Sequence, residues 1–513
     1  MKRREGRRVL VSASATLIKK PKRLGGGLKP ALHSTRRILI LALASILATA
    51  AATIPAATAA DLPQATQTQA QPPSPCFASL FDFVMASAEE CPLTWYGITL
   101  YGTIDVGASY NTHGVPFNGA YPHGVEALIS KNSNHALTLL TPNGLSQSSI
   151  GVKGAELLAP DWSLIFNFET GFNPYSPQLA NGPKSLVQNN TTAIANQSAN
   201  GDSSRAGQPF NSVAYAGISN RTLGTLTVGR QDSLLLGTLG RYDAMERAHA
   251  FSLIGDSNTV AGAGDTESAR FNTSVQYKVG VGPLRLAVLY QFGGYHQGNG
   301  SDGALEAEVG ADFGSFSFDA VGSKVKDAVS LANFGEYPLP AGVGIDNLKA
   351  TLSNNTAGAV MAKYNANIAT IFGGVEYILF QNPSHTYPNG FTALGGYTVL
   401  PGYVNSTAYT INKILRAFWT GVRFHIRDDL SLAGAYYHYY QNDYSTSTCT
   451  QGGLSASSCH GTENAVSVMI DYQLIKRTDV YAGVMWSTVA GGLASGFLYH
   501  SNLAPMVGMR VQF

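Results

Sequence analysis

The last ten residues, Ala504 to Phe513 (APMVGMRVQF), constrain the fold most. Val507, Met509, Val511 and Phe513 fall on one face, and Gly508, Arg510 and Gln512 on the other. This period-two alternation runs into the C-terminus with no turn after it. Chain ends usually fray, and an apolar-faced terminal strand in an open sheet would be an unprotected edge. Closing the sheet into a barrel removes both objections, because the last strand then pairs with the first.

The same alternation recurs from Tyr96 onward. Ile98, Leu100, Ile104, Val106 and Ala108 alternate with Thr99, Tyr101, Thr103, Asp105 and Ser109. Trp162, Leu164, Phe166 and Phe168 oppose Ser163, Asn167 and Glu169; Phe271, Thr273, Val275 and Tyr277 oppose Arg270, Asn272, Ser274, Gln276 and Lys278. Leu305, Ala307, Val309 and Phe313 oppose Glu306, Glu308 and Asp312. Three acids on one face of one strand would be costly in a dry core, so that face is expected to meet water in a lumen.

Counted this way, sixteen strands start near residues 96, 148, 162, 211, 224, 269, 283, 305, 315, 357, 368, 414, 430, 465, 479 and 504. Tight links (LAPD, SNRT, KVGVG, FGS, the turn at Asn365, IRDD, LIKR) follow the even strands, and long Asn/Ser/Gly-rich segments follow the odd ones. That regular exchange of short turns and long loops predicts an all-β, 16-stranded antiparallel up-and-down transmembrane β-barrel with one rim short and the other long. Composition agrees. Only 13% of the 513 residues are charged, with 55 Gly and 25 Tyr, against about 25% charged in soluble domains. Aromatic clusters such as Tyr436–Tyr440 and Tyr290/Phe292 are expected at the water–lipid boundary; a sugar-stacking track is the sharper alternative.

Residues 1–60 read as a basic leader and secretory signal, with twelve bases and one acid before the apolar stretch Ile38–Ala52. Without them, Lys plus Arg falls from 34 to 22 and Asp plus Glu from 32 to 31, leaving a mature chain near −9. Residues 61–91 are a Pro/Gln-rich linker and a short helical segment bracketed by Cys76 and Cys91, and residues 92–513 form the barrel. Cys449 and Cys459 bracket a polar Gly/Ser loop, so two local disulfides are expected in an oxidising compartment. No metal-ligand spacing, phosphate-cradling loop or nucleophile elbow occurs. No catalytic residue, cofactor or nucleic-acid partner is therefore expected.

The pieces LYGTIDVG (100–107), IGVKGAE (150–156), GTLTVGRQD (224–232), the VQY of the sixth strand and the terminal Phe resemble those of the Gram-negative general porins. The resemblance implies an outer-membrane location, passive diffusion of ions and small hydrophilic solutes, a homotrimer, and recognition of the last strand by the outer-membrane assembly machinery. It also implies that the third long loop, about residues 234–268, folds into the lumen as a constriction. The site residues so implied are Lys153, Arg230 and Arg270 on the wall and Asp243, Glu246 and Asp256 in the loop. Strict alternation, however, puts Arg230 on the lipid face unless a bulge near Gly229 intervenes or the strand's end lies above the lipid. Ser149 and Thr103 stand where relatives carry bases, which thins the basic wall. With the mature chain near −9, the expected pore field is net negative, favouring cations. The alternatives are a substrate-selective channel, or an adhesin or receptor that uses the barrel as an anchor.

Overall fold

The computed structural model describes residues 79–113, 136–175, 178–179, 209–254, 270–332, 339–344, 347–394, 397–446, 458–494 and 499–513. Sixteen barrel strands follow one another. They are β1 (Ile98–Asn111), β2 (Leu137–Pro142, interrupted, then Ser149–Ala159), β3 (Trp162–Asn173), β4 (Val213–Asn220), β5 (Gly224–Asp232) and β6 (Arg270–Val281). Next come β7 (Leu284–Gln291), β8 (Gly303–Phe313), β9 (Phe316–Ala332), β10 (Asn347–Ala366) and β11 (Ala369–Gln381). Last are β12 (Lys413–Arg427), β13 (Leu430–Gln441), β14 (Gly461–Ile475), β15 (Thr478–Gly491) and β16 (Ser501–Gln512). Each pairs antiparallel with its sequence neighbours, and β16 pairs with β1 from Thr103↔Gln512 to Ser109↔Met506, which closes the sheet. Phe513 completes the seam: its N–H and C=O bond the C=O and N–H of Gly102 at 3.0 and 2.9 Å.

The outward residues form an exposed apolar belt that includes Leu100, Leu164, Leu226, Val288, Val309, Val360, Phe418, Val466 and Val507. A soluble protein could not leave such a surface bare; a barrel in hydrocarbon requires it. The turns after even strands are tight, as expected. Two boundaries differ from the sequence reading. Strand ten begins at Asn347 rather than near residue 357, and the second strand gains an outer portion, Leu137–Pro142, before an interruption at residues 143–148.

Ahead of the barrel, helix α1 (Leu80–Met85) starts at Ser79, whose Oγ accepts the Asp82 N–H at 3.1 Å. It is held to the turn between β14 and β15. Arg477 donates to the carbonyls of Phe83, Ser87 and Cys91 at 2.8, 3.0 and 2.6 Å, and its guanidinium lies 4.1 Å from the Phe83 ring centroid. Lys476 pairs with Glu90 at 2.6 Å. Cys91 and Cys459 are both disulfide-bonded; Cys76 and Cys449, their expected partners, lie outside the described residues.

Candidate functional site: a loop inside the lumen

The third loop leaves β5 and turns inward at once. Ser233 caps helix α2 (Leu234–Leu239) by accepting the Leu236 N–H, and Leu234, Leu235, Leu236, Thr238 and Leu239 are all buried. The Leu234 N–H donates to Glu306 Oε2 on β8 at 2.6 Å, so the Glu306 carboxyl satisfies one of the unpaired N–H groups at the start of the helix. Glu306 therefore lies sealed beneath the loop, fully buried, and does not face water as its strand parity suggested.

Further along, the Tyr242 hydroxyl donates to Asp319 Oδ2 on β9 at 2.6 Å, and Arg285 on β7 donates to both at 3.1 and 2.9 Å. Burial, and then the neighbouring Asp319 carboxylate, raise the Tyr242 phenol above its ordinary pKa. Trp419 on β12 donates its indole N–H to the Tyr242 carbonyl at 3.0 Å. Asp243 follows. It accepts the Tyr437 hydroxyl from β13 at 2.7 Å, the Ser252 hydroxyl at 2.6 Å, and the N–H groups of Met245 and Arg247. Expected at the constriction, Asp243 is instead 1% exposed and spends its charge organising the loop. Glu246 turns to the opposite side, 3.4 Å from Arg423 of β12, which also donates to the Ala244 carbonyl at 2.9 and 3.1 Å.

The loop then reaches the closing seam. Phe251 meets the Tyr481 ring of β15 edge-on at 6.2 Å. The Ala250 N–H donates to the Gly144 carbonyl at 2.9 Å, inside the interruption of β2. Two wall glycines make the close approach possible: a Cβ on Gly421 would stand 2.5 Å from the Ala244 methyl, and one on Gly483 would stand 2.7 Å from the Phe251 ring. The interruption also serves Asp105, which accepts the N–H groups of Leu145 and Ser146 at 2.7 and 2.9 Å and the Tyr481 hydroxyl at 2.6 Å. Arg510 stands between Asp105 and Asp479 by register and pairs with Asp479 at 2.6 Å.

The loop thus covers the wall from β8 to β15 and leaves a cavity of about 510 Å³ against β1–β6 and β16. Its charged lining is Arg247 from the loop, Arg270 and Lys278 from β6, Arg510 from β16, and the acids Glu169 and Asp232. Of the expected residues, Arg270 lines this space and pairs with Asp232 at 2.9 Å. Lys153 is not among the lining residues; it is the register partner of the lining residue Asn167, with its ammonium 5.0 Å from the Tyr101 ring centroid. Arg230 does not line the cavity. It keeps the parity of Leu226 and Val228, and donates to the Asn211 carbonyl at 2.7 and 2.9 Å and to Asn272 Oδ1 at 2.7 Å. The irregularity beside it, between Gly229 and Gln231, turns Phe271 inward instead. Asp256 lies outside the described residues. Lys278 and Arg510 were not among the expected site residues although their parity pointed inward; what the sequence lacked was their nearness to the loop.

One cluster outside the lumen offers metal-type donors: Asp302, Asp327 and His385 bring one atom each within 4.8 Å of one another. These donors already have partners. Lys326 donates to Asp302 at 2.6 Å, the Ser384 N–H donates to Asp327 at 2.6 Å, and His385 Nδ1 lies 2.8 Å from Asp327. They pin the outer loops together.

Comparison with known proteins agrees with this geometry. An outer membrane porin protein of Bordetella pertussis is 24% identical over 260 residues; the match covers 51% of this chain and spans only 56% of the length of that relative. Among solved structures, an anion-selective porin from Comamonas acidovorans superposes with a TM-score of 0.50 at 14% identity, covering 81% of this chain and 99% of that one. The outer membrane channel DcaP of Acinetobacter baumannii gives 0.47 at 14% identity, over 81% and 97%. The family model for Gram-negative porins matches residues 47–491, and the chain belongs to that family.

Proposed function

We propose that the protein is an outer-membrane pore for passive diffusion of ions and small hydrophilic solutes, with a preference for anions. One observation carries the reading: a loop packed inside the barrel leaves an opening whose lining holds four bases and two acids, an excess of one positive charge once Asp479, the partner of Arg510, is counted. Four of the acids on these elements are engaged elsewhere. Asp243 and Glu306 fix the loop, Asp319 holds Tyr242, and Glu246 meets Arg423. Charges act over roughly 8 Å at physiological salt, so the local lining outweighs the mature chain's −9. The cation preference expected from the sequence is replaced accordingly.

An open space beside the loop also favours a channel over an adhesin or receptor that only anchors loops, and membership of the porin family points to a channel rather than an enzyme. Homotrimeric assembly, reading of the β16–Phe513 terminus by the assembly machinery, and the pairings Cys76–Cys91 and Cys449–Cys459 belong to the same proposal. Reconstitution into planar bilayers under a potassium chloride gradient tests it. The expected result is a steady, non-saturating conductance with a reversal potential displaced toward chloride, most strongly at low salt. Displacement toward potassium would overturn the anion preference, and the absence of conductance would overturn the pore.

A further inference from the structure

The outward face of β9–β14 carries a feature that diffusion through the lumen does not use. On β13 to β16 one register row, Tyr436↔Val466↔Trp486↔Leu503, is exposed, and three of its four side chains are wholly apolar or indole. The next outward row toward the long loops, His438↔Asn464↔Thr488↔Ser501, is polar. Such a switch marks the level where hydrocarbon gives way to headgroups.

At that level lies a groove of about 460 Å³, lined by Gly358, Val360, Tyr377, Arg416, Phe418 and His438. It shares Val360, Val375 and Phe418 with a second groove of about 380 Å³, which continues toward the short-turn rim past Ala362, Gly373 and Thr420. Those last three small residues face one another in register, Ala362↔Gly373↔Thr420, so the surface dips there. The result is a trench with a cationic head and an apolar tail.

The head is built for an anion. Arg416 is exposed, stacks 5.8 Å from the Tyr440 ring centroid, and has no carboxylate partner among the described residues. His438 Nδ1 lies 2.8 Å from Asn464 Oδ1, an oxygen that also accepts the Tyr436 hydroxyl at 2.9 Å. With that oxygen accepting, Nδ1 donates, and the ring is held beside Arg416 at the wall of the groove. Lys324, also exposed, flanks the groove opposite Thr356. Glu376 also borders the groove but is buried at 5% exposure, and among the described residues of β9–β14 no exposed acid faces outward at this level, so a lipid phosphate would supply the charge complement.

We propose that this trench binds a phosphate-bearing lipid of the outer leaflet. The phosphate sits against the Arg416 guanidinium, with the His438 ring beside it, and one acyl chain lies along Val360, Val375 and Phe418. The test uses the full mature protein in mixed micelles of a neutral detergent with phosphatidylglycerol, and counts retained lipid by native mass spectrometry. Wild type should keep one phosphatidylglycerol per chain after bulk detergent is stripped. The pair Arg416→Ala/His438→Gln should lose it by about tenfold, and the milder Arg416→Gln should lose part of it. Both variants are to be scored only as folded barrels, identified by faster migration unboiled than boiled. Diacylglycerol, which lacks the phosphate, should not be retained, and inorganic phosphate should compete weakly. Equal retention by the double variant, or equal retention of diacylglycerol, overturns the site. Dimers cross-linked through Thr420→Cys in lipid-free detergent would show that a second copy covers this face instead.

Discussion

The Tyr437 hydroxyl donates to Asp243 across 2.7 Å, although 194 residues separate the two. The contact joins the barrel wall to the middle of the third loop, and Asp243 uses its second oxygen for Ser252 and the Arg247 N–H. A hydrogen bond to a buried charge contributes roughly 1.5–3 kcal/mol. Tyr437→Phe should therefore loosen the loop while leaving the barrel folded, giving noisier single-channel currents and a larger mean conductance. Asp243→Asn should act more strongly, because it weakens several contacts at once. Unchanged noise in both variants would show that the loop is held elsewhere.

Selectivity should follow the lining and not the loop acids. Arg247→Gln and Lys278→Gln each remove one positive charge from the cavity, so each should move the reversal potential toward potassium by a few millivolts at low salt. Glu246→Gln should change it less, since that carboxylate lies beside Arg423. A larger effect of Glu246 than of Arg247 would place the narrowest point on the other side of the loop.

Arg477 grips three carbonyls of the segment that precedes the barrel. Arg477→Ala should release that segment, making residues 79–91 sensitive to a soluble protease in intact barrels. Heat resistance of the barrel itself should stay within a few degrees of wild type. Protection equal to wild type would mean that Lys476–Glu90 and the disulfide suffice.

Between β13 and β14, the His460 N–H at 2.7 Å and its ring nitrogen at 3.1 Å hold Asp443 ionised, lowering its carboxyl pKa. A depressed folded value means the contact stabilises the loop above the ordinary carboxylate range of about 4, and fails as pH falls through the lower folded value. Proteolysis of this loop should therefore accelerate only on strong acidification. Asp443→Asn should be cleaved readily at neutral pH and lose the acid dependence.

Peptide mapping without reductant should recover Cys76 linked to Cys91 and Cys449 linked to Cys459. Each closure spans only about ten to fifteen residues and forms without long-range folding. Linkage between the two groups would refute the assignment.

Much of the fold was legible because a barrel writes itself into two periodicities, side-chain parity and the exchange of tight turns with long loops. Leu305, Val309 and Phe313 do face outward, with Glu306 on the other side. Parity could not say what covers a face. Glu306 was read as wet, and it lies under α2 because Leu234 packs there. Nor could it foresee slips. Thr273 adopts φ +46, unusual for a β-branched residue, and the extra residue turns Phe271 from the lipid side to the interior. The proposed sign of the pore field departs from the expected one for a related reason. Total charge adds every acid equally, whereas burial withdraws from the lumen those that bind the loop.

The Ala250–Gly144 hydrogen bond gives the loop a second abutment. Attached only to the wall from β8 to β15, the loop would be a shelf held along one side, able to tilt into the passage under an applied field. Seated on β2 as well, it is a beam supported on both sides of the barrel's closing seam. A passage bounded by such a beam is expected to keep one width over a broad range of voltage.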